Sequence, residues 1–164
     1  MNNCSIIIPH YNGENILKRC LDSIYKHTSD SHEIIVVDNA SSDNSISMLE
    51  NDFSQVKIIS NKTNLGYAGA CNVGAEASKN NFLIFLNNDT EVTEDWLDLL
   101  VEKLTNESIS SVQLKIKSMN NKDYFDYAGA SGGYIDIFCY PFCRGRIFNT
   151  IEKDTLQYQS KEEI

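Results

Sequence analysis

Four short apolar runs, Cys4–Ile8, Glu33–Val37, Val56–Ile59 and Phe82–Leu86, recur along the chain. Each leads into a polar loop and then a segment of helical period. The runs are β-branched or aromatic and nearly all apolar, as strands buried on both faces are. After the first, Ile16, Leu17, Cys20, Leu21, Ile24 and Tyr25 fall on one helical face. After the second, Ser42 stands where an N-cap would, ahead of Ile46, Leu49 and Phe53. Ala68–Lys79 follows the third run and is rich in small residues (Ala70, Gly74, Ala75, Ala77) that let a helix approach a sheet closely. After the fourth, Thr93 is placed to cap a helix that opens with Glu94 and Asp95 and carries Trp96, Leu97, Leu100, Val101 and Leu104. Strand–helix alternation predicts an α/β fold: a mostly parallel, twisted sheet with helices on both faces. Ser111–Lys117 alternates Val112, Leu114 and Ile116 with polar residues and reads as a fifth, half-exposed strand.

Past Asn120 the pattern breaks, which divides the chain into residues 1–120 and 121–164. Tyr124–Tyr140 is aromatic and contains Gly129, Gly132 and Gly133, the composition of irregular strands or a hairpin. Residues 149–164 are polar and offer little to a core, and residues 120–164 are expected to be partly disordered or to pair with a segment beyond Ile164.

Charge narrows the ligand. Fourteen Lys and Arg against 23 Asp and Glu leave a net −9. A nucleic-acid binder needs a basic footprint, so no nucleic-acid partner is expected. A polybasic membrane anchor is excluded likewise. No apolar run reaches the roughly 18 residues of a transmembrane helix, and Met-Asn-Asn-Cys enters a strand directly, which predicts a cytoplasmic chain without a signal peptide. The Asn-x-Ser/Thr matches at Asn39, Asn61, Asn88 and Asn106 then carry no glycans. Cys4, Cys20, Cys71, Cys139 and Cys143 are odd in number and scattered, which suits free thiols. The spacing Cys139-x-x-x-Cys143 lacks the further ligands that zinc needs. His10 reads as a rim residue, and His27 and His32 as surface positions.

In open parallel sheets ligands lie outside the carboxyl ends of the strands. The four runs end in Pro9-His10-Tyr11-Asn12, Asp38-Asn39, Asn61-Lys62-Thr63-Asn64-Leu65-Gly66 and Asn87-Asn88-Asp89. Any one of these is a good turn sequence; four together point to a polar rim. Neither G-x-G-x-x-G nor a P-loop follows the first run, so those phosphate cradles are absent. Receiver-type acidic residues and a flavodoxin-like loop are missing there too.

Four stretches resemble, in order and spacing, the family 2 glycosyltransferases of GT-A fold. They are Ser-Ile-Ile-Ile-Pro-His-Tyr-Asn-Gly, Ile-Ile-Val-Val-Asp-Asn-Ala-Ser-Ser-Asp-Asn-Ser, Asn-Leu-Gly-Tyr-Ala-Gly-Ala-Cys-Asn-Val-Gly and Phe-Leu-Asn-Asn-Asp-Thr-Glu-Val, all between residue 4 and about residue 105. Phe125–Gln159, with Arg144-Gly145-Arg146 and Gln157-Tyr158, is similar to the rhamnosyltransferase subgroup.

The resemblance implies a donor-binding α/β domain over residues 1–120 and the incomplete start of an acceptor-side region over 121–164. It implies a UDP- or dTDP-linked sugar as donor and a saccharide or lipid-linked saccharide as acceptor, in surface polysaccharide synthesis. The setting would be cytoplasmic, extending to the inner face of the membrane. Asp38 would accept the ring N–H of the pyrimidine, a contact that discriminates because a mismatched partner leaves a buried carboxylate unpaired. Tyr11 would pack on the base, with Pro9 and Asn12 shaping that wall. Asn64 and Gly66 would line the nucleotide or diphosphate edge. Asn87-Asn88-Asp89 stands in place of the family's Asp-x-Asp motif, so Asp89 would hold Mg²⁺ or Mn²⁺. Such an ion would let an acidic chain grip a diphosphate, with one carboxylate and the phosphates as ligands. Asn87 brings no charge where many relatives have Asp. Inverting transfer also needs a general base, which in the family lies downstream and is expected beyond Ile164. Glu162 and Glu163 lack a rigid surround, and Asp126 and Asp136 read as solvated loop carboxylates. Arg144 and Arg146 are read either as anion ligands or as exposed turn charges. The alternative to a transferase is a truncated, non-catalytic nucleotide-sugar-binding remnant; an unrelated interaction module is the third reading.

Overall fold

The computed structural model describes residues 3–126, 133–147 and 149–158. Packing forms two compact units, Met1–Ile109 and Ser110–Ile164.

The first unit runs β1 (Cys4–His10), α1 (Glu14–His27), β2 (Glu33–Asp38), α2 (Ser45–Asp52), β3 (Lys57–Ser60), α3 (Gly66–Glu76), β4 (Phe82–Phe85) and α4 (Trp96–Leu104). Its sheet has the order β3-β2-β1-β4, and every neighbouring pair is parallel. The continuous apolar run of β1 is explained by its central place: all seven residues are buried. Ile7 lies opposite both Ile35 and Phe85, and Val37 opposite Ile59. The chain steps from β1 to β2 and β3 on one side, then returns to lay β4 on the other side of β1. The direction of winding therefore reverses between β1 and β4, which opens a crevice at the carboxyl ends of those strands.

Helix faces follow the apolar period. Leu17, Cys20, Leu21 and Ile24 of α1 are buried, as are Met48 and Leu49 of α2, Phe53 just after it, and Trp96, Leu97 and Leu100 of α4. Ile16 is the exception on α1, at 40% exposure. Helix α3 uses its small residues as expected. Ala70 packs with Ile7, Ile35 and Val37 in one apolar cluster. A Cβ on Gly74 would lie 2.4 Å from the Ile7 Cγ2 and 3.1 Å from the Val37 Cγ2. Overpacking costs about 1–3 kcal/mol, and the better helix propensity of Ala returns up to ~1 kcal/mol. Gly74→Ala is therefore expected to lower the unfolding free energy by a net ~1–2 kcal/mol, read as a lower urea midpoint, and Gly74→Val by more. An unchanged midpoint would show that the sheet gives way freely beneath α3.

Several boundaries differ from the sequence expectation. Helix α2 begins at Ser45, with Asn44 rather than Ser42 at its N-cap. The Ser42 N–H donates instead to Asn12 Oδ1 (2.9 Å), which holds Ser42 in the preceding loop. Helix α4 starts after Asp95, at φ 57°, not after Thr93. Trp96 anchors that start by donating its indole N–H to Thr28 Oγ1 at 3.0 Å. Helix α3 spans Gly66–Glu76 instead of 68–79. Ser111–Lys117 does not form a strand of the sheet, which has four strands among the described residues. That segment makes a single bridge, Lys117 to Phe125. Its alternation serves another purpose: Lys115 and Lys117, two residues apart, both reach the Asp154 carboxylate, at 2.7 and 3.2 Å.

The second unit carries two short antiparallel pairs: β5 (Gly133–Ile135) with β6 (Pro141–Cys143), and β7 (Arg146–Ile147) with β8 (Thr150–Ile151). Phe125 is fully buried, with the Tyr158 ring centroid 5.7 Å from its own. The polar end thus contributes more to packing than its composition suggests. The Arg144 guanidinium lies 4.7 Å from the Tyr134 ring centroid, a cation–π contact rather than a free charge in a turn. Gly129, Gly132, Glu162 and Glu163 lie outside the described residues.

Candidate functional site

The four polar strand ends share one rim because the strands are parallel and their carboxyl ends lie together. Hydrogen bonds join these ends pairwise. The Asn39 N–H donates to the His10 carbonyl (2.8 Å) and the Asn61 N–H to the Asp38 carbonyl (2.8 Å). The Leu86 N–H donates to the Ile7 carbonyl at 3.0 Å, carrying the β4 end alongside β1.

Asp38 closes β2 and is only 3% exposed. Both carboxylate oxygens accept the single Ser41 N–H, each at 3.2 Å. A carboxylate offers about four lone-pair sites, so most of this buried acceptor's capacity has no donor among the described residues. Pro9 is buried on the neighbouring strand, and Tyr11 stands at its end with 54% of its surface exposed. Asn12 stitches this corner together. At φ 53° it donates its N–H to Ser41 Oγ (2.8 Å) and accepts the Ser42 N–H (2.9 Å). Pro9, Tyr11, Asn12 and Asp38 therefore belong to one corner.

Asn39 builds the next corner. It is 3% exposed, donates to the Gly66 carbonyl (3.2 Å), and accepts from the Asn61 amide (2.9 Å) and the Leu65 N–H (3.4 Å). Asn64 accepts the Gly66 N–H at 2.8 Å, so these two exposed residues form one turn at the start of α3. Glycine is required at 66 for its φ of 74°, since a Cβ there would meet nothing within 4 Å.

At the end of β4 the Asn87 carbonyl accepts from the Thr90 N–H (3.3 Å) and hydroxyl (2.7 Å), turning the chain. Asn87 and Asp89 are exposed, and Asn88 is half-buried against His10. The Asp89 carboxylate accepts no hydrogen bond from the described residues. Its charge is felt by neighbours. The Cys20 thiol is pushed up to about 12, mainly by burial with Asp89 adding to it. The Tyr67 hydroxyl is raised by burial, by Cys71 and by Asp89. Asp89 thus sits electrostatically between α1 and the start of α3, on the rim. No hydrogen bond joins it directly to Asp38 or Tyr11; the connection runs through Asn88 and His10.

Among the described residues, no three His, Cys, Asp or Glu side chains gather as a metal cage. That is compatible with a hard cation held by one free carboxylate plus ligand phosphates, and Asp89 fits that chemistry.

Three residues that organise the rim had not been singled out from the sequence: Ser41, Asp43 and Ser45. His10 had been placed on the rim, yet it is 1% exposed; likewise His32 is half-buried, its ring 3.0 Å from the Cys4 sulfur. Asp43 ties together the starts of α1 and α2. Oδ2 accepts the N–H groups of Gly13 (2.6 Å) and Glu14 (3.1 Å), and Oδ1 accepts the N–H (3.1 Å) and hydroxyl (2.6 Å) of Ser45. Partial burial alone would raise its carboxyl, but the bonds from Ser45, Gly13 and Glu14 outweigh that and hold it at about 2. Because the folded value lies below the ordinary 3.8, the stabilisation is present above 3.8 and disappears as pH falls through about 2. Asp43→Asn is expected to flatten that acid limb of the stability curve, measured by urea unfolding across it. An acid limb identical to wild type would contradict this role.

The family model for "Glycosyl transferase family 2" matches residues 5–160. Over 118 residues the chain is 30% identical to the Escherichia coli UDP-Glc:alpha-D-GlcNAc-diphosphoundecaprenol beta-1,3-glucosyltransferase WfgD, covering 71% of this chain and 47% of that protein. Residues 1–349 of Staphylococcus aureus TarS, solved with UDP, superpose with a TM-score of 0.63 at 23% identity, over 74% of this chain and 37% of that one. The Pyrobaculum calidifontis mannosyltransferase PcManGT, solved with GDP-Man and Mn²⁺, gives 0.63 at 23% identity, over 72% and 36%. The chain therefore spans about half the length of its curated relative, and less of the two solved structures.

Proposed function

Because this chain belongs to glycosyltransferase family 2 and has the GT-A fold, we propose that it binds a UDP- or dTDP-sugar and serves inverting sugar transfer to a saccharide acceptor. The observation that carries this reading is Asp38: a buried carboxylate with spare acceptor capacity, beside an exposed Tyr11, at the carboxyl edge of a parallel sheet. The carboxylate receives the ring N–H of uracil or thymine, and Tyr11 covers the base. Pro9 and Asn12 hold that wall in place. Asn64 and Gly66 border the ribose-diphosphate path with Asn87 and Asn88, and Asp89 holds Mg²⁺ or Mn²⁺. When bound, the divalent cation neutralises the diphosphate and acts as Lewis acid for its departure. Asn87 adds no charge, so cation affinity is weak until the donor's phosphates complete the ligand set.

The E. coli relative acts on an undecaprenol-linked acceptor, which supports a lipid-linked saccharide as acceptor here and work close to a membrane. Among the described residues no helix is long and apolar enough to cross a membrane. The acceptor region begins in the second unit, and the general base belongs to the part of such transferases that this chain does not span. The rhamnosyl donor suggested by Phe125–Gln159 is the finest level of the proposal.

Calorimetric titration of UDP, dTDP and GDP, each with and without Mn²⁺, tests the reading. Pyrimidine diphosphates are expected to bind, with an affinity that rises on adding Mn²⁺, and GDP to bind poorly. Equal binding of all three, or none, would refute it. A second reading is a nucleotide-sugar-binding remnant without turnover. Donor binding with neither transfer nor donor hydrolysis would establish that one.

A further inference from the structure

One hydrogen-bonded chain crosses the crevice between β1 and β4, and its direction can be worked out. The Ser45 hydroxyl donates to Asp43 Oδ1 at 2.6 Å. Its oxygen is then the acceptor for His10 Nε2, 2.8 Å away, so Nε2 carries a proton. Burial lowers the His10 pKa against the opposing pull of Asp38 and Asp43, which keeps the ring neutral. Nδ1 is therefore bare and accepts from the Asn88 amide nitrogen at 2.9 Å. The amide orientation of Asn88 follows: its nitrogen is spent on His10, and its Oδ1 has no donor among the described residues.

We infer that His10 is a positioning residue that fixes the Asn88 side chain next to Asp89 so that a carbonyl oxygen, an acceptor only, is what a ligand meets there. This rests on the nucleotide-diphosphate reading of the rim. The group recognised is an O–H donor: a ribose hydroxyl, or a water on the bound cation. An amide presented the other way round would turn its N–H groups toward the cation's side, opposing a cation-bound water and meeting a ribose hydroxyl only as an acceptor. Three elements share the arrangement, since His10 ends β1, Ser45 starts α2 and Asn88 follows β4.

The test titrates UDP and 2′-deoxy-UDP, with and without Mn²⁺, into the full wild-type chain, His10→Leu and His10→Gln. His10→Leu is expected to lose about tenfold in one of two ratios, the size of one hydrogen bond. Loss of the Mn²⁺ enhancement assigns the donor to cation-bound water. Loss of discrimination against 2′-deoxy-UDP assigns it to the ribose hydroxyl. His10→Gln, which retains one donor and one acceptor at its tip, is expected to rescue the lost ratio. Both ratios unchanged in a folded His10→Leu overturns the inference. Imidazole ¹⁵N shifts of the wild type near neutral pH provide a second reading that needs no variant: Nε2 protonated and Nδ1 bare is expected, and any other state overturns it. If wild type binds no UDP, the nucleotide reading falls, while the ¹⁵N result still decides the His10–Asn88 geometry by itself.

Discussion

Asp38→Ala is expected to weaken UDP binding by about ten- to a hundredfold, the worth of a hydrogen bond to a charged group in a buried setting. The carboxylate is nearly enclosed, and its only donor among the described residues is one N–H shared between both oxygens. That arrangement leaves acceptor capacity that a base N–H would fill. Removing the carboxylate takes away the acceptor for Ser41 as well, so some loss of stability accompanies the loss of affinity. Asp38→Asn separates the two effects, because one oxygen can serve Ser41 or the base but not both well. Its affinity should fall between wild type and Asp38→Ala, with a melting temperature near wild type. UDP affinity unchanged in a folded Asp38→Ala would remove the nucleobase from this corner.

The second large effect is expected at Asp89. The chain carries a net −9, so a diphosphate approaches against a repulsive field unless a cation intervenes. Asp89→Asn keeps shape and removes the charge. Its UDP affinity should become insensitive to Mn²⁺, a loss of about tenfold or more at saturating metal, equivalent to ~1.4 kcal/mol or beyond. Because Asp89 is exposed and accepts no hydrogen bond from the described residues, its substitution should leave folding intact. The converse variant, Asn87→Asp, should raise Mn²⁺ affinity by restoring a second carboxylate. Mn²⁺ enhancement that survives Asp89→Asn would place the cation elsewhere.

Much of the first unit is legible in residue order because its strands and helices obey different periods. The runs at Cys4, Glu33, Val56 and Phe82 mark the four strands to within two residues. The small residues of α3 announce the close contact at Gly74. Asp38, Asn12 and Asn88 can be picked out because they are polar residues at the carboxyl ends of buried strands. What could not be read is which donors and acceptors pair. Ser42 looks like a cap until Asn12, thirty residues away, takes its N–H. Ser111–Lys117 has the alternation of a strand, but period alone does not reveal that its lysines are drawn to Asp154.

The sequence by itself determined the family, the alternating architecture and the set of polar strand ends, since these depend on local period and on motifs contiguous in the chain. Only the tertiary structure decided that β4 lies against β1 and not at the far edge, that His10 is buried, and that Ser45 and Asn88 meet on its two nitrogens. Those facts depend on contacts between residues 35 and 78 positions apart, and no local pattern encodes which distant donor will meet which acceptor.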